Sequence, residues 1–269
     1  LPSYHLVDLY RYSENRNHPS NLRRYLQERD IDPSTVSLAV PVMSQRGCPF
    51  VCYFCAKDYG RKLVRCSTDY MIEHLDYLHE KYGYNNFKFI DDLFNVPKKW
   101  VFEFCEKLAA SDRQYYFWAS GNRADLICED LVQAMMSAGF YQISVGIESF
   151  NQEILDEMNK ALKVEKLMRG LKILIKHRML SRSECILQFG YSKDSRETMR
   201  NNLKHIKELD YFDRVGFFFP CPLPNTMLYE IAVKEGKITN LEDHLIHLSH
   251  TNLSDLIVNF SQFSDEELL

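Results

Sequence analysis

Six short runs rich in Val, Ile, Phe and Tyr recur along the chain, each followed by a segment of helical period. This alternation narrows the fold class to α/β with a parallel sheet and helices outside it. The runs cover residues 36–42, 87–90, 115–119, 142–147, 185–189 and 215–219, and their composition is that of buried parallel strands. The helices between them are marked more sharply. Ser67 or Thr68 caps a helix running to about Lys81, with Met71, Ile72, Leu75 and Leu78 at the helical spacing and Gly83 as its stop. Further helices are expected at 97–110, where Pro97 suits a first turn, and at 129–138 before Gly139. A paired helical region is expected at 152–179, and single helices at 196–209 and at 226–234 before Gly236. Six βα units fall short of a complete eight-unit barrel. An open six-stranded barrel and a doubly wound sheet both fit, and in either one ligands bind at the carboxyl ends of the strands. Residues 1–35 read as a lead-in with one short helix at 19–29, and 36–236 as the core. Residues 237–269 read as a helical cap with segments at 243–250 and 255–260 and a last helix opening at Asp265.

Composition limits what such a core binds. Its 269 residues suit one large domain with short appendages, and 45% hydrophobic against 26% charged residues supply a full core. A net charge of −4 offers nucleic acid no general attraction, so no nucleic-acid partner is expected. No apolar run approaches the roughly 20 residues that cross a bilayer, and no secretory leader opens the sequence, so no membrane partner is expected. Eight cysteines, three of them clustered, point to a reducing, cytoplasmic location with thiols serving a metal. The sequence starts at Leu1 rather than Met, from which an upstream segment is expected.

The cluster is Arg46-Gly47-Cys48-Pro49-Phe50-Val51-Cys52-Tyr53-Phe54-Cys55, directly after the first strand. Three thiols within eight residues can converge on one metal centre. Structural zinc usually takes four protein ligands in two separated knuckles, and no second pair follows at that spacing. A four-iron cluster held by three thiolates keeps one iron open. A zinc site completed by a distant His or Cys, and a chance cluster of buried thiols, are the alternatives.

The Cys-x3-Cys-x2-Cys pattern, with an aromatic before its last cysteine and a strand before its first, resembles the radical S-adenosylmethionine (SAM) superfamily. Its cobalamin-associated branch is the most similar. The resemblance implies a partial (β/α)6 barrel and a 4Fe-4S cluster on Cys48, Cys52 and Cys55. SAM would chelate the fourth iron through its amino and carboxylate groups, and Phe54 would lie by the adenine. Residues 1–12 resemble the linker that follows a cobalamin domain. The stretch Phe89-Ile90-Asp91-Asp92-Leu93-Phe94 resembles the second-strand motif, which places Asp91 and Asp92 near the SAM amino group; a helix N-cap ahead of Pro97 is the competing role. Arg123, after the third strand, suits the SAM carboxylate or a salt bridge with Asp125. Gly146-Ile147-Glu148-Ser149 closely resembles the fourth-strand motif, in which Glu148, flanked by Ser149, bonds SAM at its ribose. The fifth strand implies adenine contacts from Gln188, Phe189 and Gly190, although the turn that follows departs from the family's pattern. Residues 219–226 resemble the sixth-strand motif, with Cys221 in place of an aromatic. Cys221 is a candidate hydrogen donor facing substrate, or a small apolar filler. The other cysteines fall on helices or strands and read as packing, and no His is assigned to metal.

The function so implied is reductive cleavage of SAM to a 5′-deoxyadenosyl radical that abstracts hydrogen from a small-molecule or peptide substrate. An electron donor such as flavodoxin or ferredoxin is implied, and methyl transfer is the foremost reaction. Ring formation or rearrangement is the alternative within the family, and an RNA-modifying methylthiotransferase is disfavoured by the acidic balance. A zinc-binding interaction module is the alternative outside it. No Asp-x-His-x-x-Gly cobalamin motif occurs, so cobalamin would need a domain outside this sequence.

Overall fold

The computed structural model describes residues 2–12, 18–56, 59–183, 185–252 and 255–269. They form two compact units that interleave along the chain. The first comprises Leu1–Cys48, Lys62–Gly146 and Arg169–Ser181; the second comprises Pro49–Arg61, Ile147–Met168 and Arg182–Leu269.

The first unit opens with helices α1 (Leu9–Tyr12) and α2 (Ser20–Gln27) and strand β1 (Val40–Val42). Two-residue strands β2 (Gln45–Arg46) and β3 (Val64–Arg65) then pair antiparallel, bracketing the loop that carries the cysteines. Alternation follows through α3 (Thr68–Tyr82), β4 (Asn86–Phe89), α4 (Lys98–Ala109), β5 (Tyr116–Asn122), α5 (Glu129–Ser137) and β6 (Phe140–Val145). Strands β1, β4, β5 and β6 form one parallel sheet in that order, as successive βα units demand. Phe89 and Phe117 pack against Phe104 of α4, and Phe140 packs on both of them; the Phe117–Phe140 centroids are 4.8 Å apart and the Phe89–Phe104 centroids 5.7 Å. All four rings are fully buried, each worth roughly 1.5–3 kcal/mol. A second core joins Leu22 and Leu26 of α2 to Val36, Tyr116 and Tyr141. Ser67 caps α3 by accepting the Tyr70 N–H at 3.2 Å, and Gly83 ends it at φ +75°, as the sequence predicts.

The second unit contains α6 (Gln152–Glu157) and the start of α7 (Val164–Lys176), most of which, from Arg169 on, belongs to the first unit. It continues with β7 (Cys185–Gln188), α8 (Arg196–Leu209), β8 (Val215–Phe218), α9 (Met227–Lys234), α10 (Leu241–Ser249) and α11 (Asp265–Leu268). Strands β7 and β8 pair in parallel, and Glu148 forms a parallel bridge to Leu187 on β7. The expected 152–179 region divides where Asn159 and Ala161 take positive φ, which a helix cannot continue through. The helix expected at 255–260 is absent: Asp255 accepts the Asn252 N–H at 2.6 Å, while Val258 and Phe260 are buried along irregular chain. The buried pair, Val258 and Phe260, is spaced by two, the period by which extended chain rather than a helix returns to one face. No described helix is long and apolar enough to cross a membrane. Leu1 and the side chain of Tyr12, at the ends of the linker-like segment, lie outside the described residues.

Candidate active site

In the first unit, the residues after β4 turn back onto those before Cys48. The Asp91 carboxylate accepts the backbone N–H groups of Ser44 (2.7 Å) and Gln45 (3.2 Å) on one oxygen. The Ser44 hydroxyl and an Arg65 guanidinium N–H (3.2 Å) bond to the other. Asp92 accepts the Gly47 N–H at 2.6 Å. Arg65 also donates to the carbonyls of Leu93 (3.2 Å) and Phe94 (2.8 Å) and lies 4.5 Å over the Trp100 ring. Burial raises the Asp91 carboxyl above its ordinary value, opposed by Ser44 and Arg65. Burial lowers the Arg65 guanidinium to about 10, so it stays charged at neutral pH. Arg65 escapes sequence reading because a lone basic residue between Val64 and Cys66 carries no pattern. Asp91, 3% exposed, thus has its carboxylate bonded within the fold, and neither aspartate caps α4. Arg123, 7% exposed, grips Asp125 through Nε (3.0 Å) and Nη2 (3.3 Å), the salt bridge weighed above.

In the second unit, Cys52 and Cys55 flank one tight turn, closed by the Cys55 N–H to the Cys52 carbonyl at 3.3 Å. The turn is tied down on both sides. Tyr53 donates its N–H to Met158 and accepts that of Leu228, both at 2.9 Å, and the Asn159 amide donates to the Val51 carbonyl at 2.7 Å. Phe54 faces a cavity of about 330 Å³ whose other walls are Ile186, Gln188, Phe218, Phe219, Cys221 and Leu223. Three residues singled out from sequence, Phe54, Gln188 and Cys221, therefore meet at one largely apolar hollow beside β7 and β8. Burial holds the Cys221 thiol protonated by raising its pKa.

Glu148 adopts φ +64°, a conformation that disfavours a side-chain-bearing residue and often marks a functional position. Its carboxylate pairs with Lys160 Nζ at 2.8 Å and accepts from the Gln188 amide at 2.9 Å; the two charged side chains are 13% and 7% exposed. Gln188 in turn accepts from the Tyr191 hydroxyl at 2.8 Å. Lys160 was missed because nothing in the sequence links it to a residue twelve positions earlier. Ser149 is fully buried and bonds Asn151 and Asn202, so it braces the strand end rather than facing the cavity. Gly190, at φ +119°, donates its N–H to Asp194 at 2.8 Å, and a Cβ there would lie 3.3 Å from the Pro220 ring. The Phe189 ring packs on Phe263 at 5.8 Å and lines a different cavity, of about 420 Å³, with Arg196 and Arg200.

None of the eight cysteines is in a disulfide. Cys48, in the first unit, and Cys52 are half-buried, and Cys55 is exposed. Among the described residues no three His, Cys, Asp or Glu side chains are grouped as a metal centre. The donor chemistry, three thiols close along the sequence and outside any disulfide, fits a thiolate-held iron–sulfur cluster.

The sequence profile of the Radical SAM superfamily matches residues 42–203, the stretch holding the cysteines, Asp91, Glu148 and Gly190. The chain belongs to the radical SAM superfamily. An uncharacterized methyltransferase of Pyrococcus horikoshii is 26% identical over 229 residues, covering 84% of this chain and 48% of that protein. The anaerobic magnesium-protoporphyrin IX monomethyl ester cyclase of Synechocystis is 24% identical, covering 76% and 40%. This radical SAM chain thus spans about half the length, or less, of these curated relatives. Among solved structures, the radical SAM methyltransferase TsrM of Kitasatospora setae, with cobalamin and a [4Fe-4S] cluster bound, superposes with TM-score 0.63 at 17% identity. It covers 87% of this chain and 46% of that one. The likeness shows a shared radical SAM α/β fold.

Proposed function

We propose that the chain is the catalytic core of a radical SAM enzyme, with Cys48, Cys52 and Cys55 holding a 4Fe-4S cluster and SAM bound alongside. The carrying observation is the pinned Cys52–Cys55 turn with Phe54 set against the cavity that Gln188 and Cys221 also line. When bound, the cluster supplies the electron that cleaves SAM into methionine and a 5′-deoxyadenosyl radical. The chain's residues bind and shield. The backbone bonds of Val51 and Tyr53 fix the thiol-bearing turn, so the ligands are preorganised. Phe54 and the apolar walls take an adenine face and exclude water from a radical. Glu148, held by Lys160 and Gln188, presents a fixed carboxylate for a ribose hydroxyl. Gly190 keeps the turn after β7 close to Pro220.

The methyltransferases among the relatives and the TsrM fold support methyl transfer to a small-molecule or peptide substrate as the reaction. The magnesium-protoporphyrin cyclase supports ring formation as the second reading. Any cobalamin would be held by a domain outside these residues, and a small electron carrier such as flavodoxin or ferredoxin serves as reductant. The test is anaerobic reconstitution followed by dithionite and SAM. Release of 5′-deoxyadenosine, abolished by Cys52→Ala, is the expected result; an iron-loaded protein that leaves SAM intact overturns the reading.

A further inference from the structure

We infer that Asp91, Asp92 and Gln45 are positioning residues that fix the backbone of Ser44–Gly47 ahead of Cys48, and that the Asp91 carboxylate is saturated by this role rather than open to the SAM ammonium. The inference rests on the reading of Cys48 as a cluster ligand. Three of the four N–H groups preceding Cys48, those of Ser44, Gln45 and Gly47, end on these two carboxylates. The Gly47 carbonyl accepts from the Gln45 side-chain amide, whose oxygen takes the Leu93 N–H at 3.0 Å just beyond the aspartate pair. The Ser44 carbonyl accepts the Cys66 N–H at 3.0 Å, closing the segment onto β3. The approach to the first cysteine is therefore bonded on both sides, to the end of β4 and to β3.

Acceptor arithmetic excludes the other role for Asp91. A carboxylate offers about four lone-pair sites. Those of Asp91 meet the Ser44 N–H, the Gln45 N–H, the Ser44 hydroxyl and the Arg65 guanidinium. An incoming ammonium would have to displace one of these; were it Arg65, 5% exposed in its side chain, that guanidinium would lose its carboxylate. Asp92 is exposed, yet its short bond to Gly47 acts on the residue adjoining the thiol. Second-layer bonds of this kind orient metal ligands, and losing one typically weakens metal retention about 10- to 100-fold.

The experiment compares wild type, Asp92→Ala and Asp92→Asn, with Gln45→Ala as a second lesion that leaves both aspartates in place. Amide hydrogen exchange of the metal-free proteins reads the Gly47 N–H, chelator challenge of the reconstituted proteins reads iron retention, and equilibrium binding reads SAM affinity. Expected are faster exchange at Gly47 in Asp92→Ala and iron loss about 10- to 100-fold more rapid in Asp92→Ala and Gln45→Ala. Asp92→Asn, which keeps an acceptor, should restore most of both, and SAM affinity of the loaded Gln45→Ala protein should hold. Unchanged iron retention in the Asp92→Ala and Gln45→Ala proteins, or a loss confined to SAM affinity, overturns the positioning role alone. A wild type that takes up no iron removes the cluster reading and this role with it.

Discussion

Replacing Asp194 with Asn should change how stability depends on pH. Asp194 is 4% exposed and accepts the N–H groups of Gly190 (2.8 Å) and Tyr191 (2.9 Å) and the Thr198 hydroxyl (3.2 Å). Burial outweighs these donors and pushes its carboxyl from 3.8 up to about 6, with Glu157 adding to the rise. Because the folded value lies above the unfolded one, the folded state holds more protons between about pH 4 and pH 6. Folding stability therefore falls as pH rises through that window and is flat for this group above it. At 1.36 kcal/mol per pH unit the fall is about 3 kcal/mol. An Asn at this position keeps an oxygen for the two N–H groups and an NH2 for Thr198, with no charge to bury. Urea unfolding of both proteins from pH 4 to pH 8 checks this: the variant should gain about 3 kcal/mol relative to wild type between pH 4 and pH 7. Parallel pH profiles would refute the buried carboxyl as the source.

Lys160→Met leaves the Glu148 carboxylate buried without its cation and should lower stability by about 3–5 kcal/mol, much of it recovered by adding Glu148→Gln; a double-mutant cycle by urea titration measures the coupling. Gly170→Ala places a Cβ 2.0 Å from the Ala124 carbonyl oxygen, so it should cost about 1–3 kcal/mol in thermal unfolding, whereas a neutral result would contradict the close packing of α7 on that turn. Phe54→Ala removes one aromatic wall of the cavity and should weaken SAM binding by up to about tenfold, read by equilibrium titration of the reconstituted protein.

The strands and most helices were legible because each strand is a compact apolar run and each helix carries a cap or stop such as Ser67 and Gly83. The β2–β3 pair was not, because two residues per strand leave no period to detect. Phe54, Gln188 and Cys221 could be named separately from a motif resemblance, but their convergence on one cavity depends on the β7–β8 pairing. Asp91, Arg123 and Ser149 show the opposite limit. Each motif position was readable, while the partner that occupies its side chain, Arg65, Asp125 or Asn202, was fixed by folding. Lys160 belongs with these, since its positive-φ neighbourhood at Asn159 and Ala161 brings it to Glu148 without any sequence periodicity.

The most direct test is the metal itself. Protein purified and reconstituted without oxygen should hold about four iron and four sulfide per chain, with all three of Cys48→Ala, Cys52→Ala and Cys55→Ala losing them. Stoichiometric zinc in a colourless protein, with no iron taken up, would contradict the account.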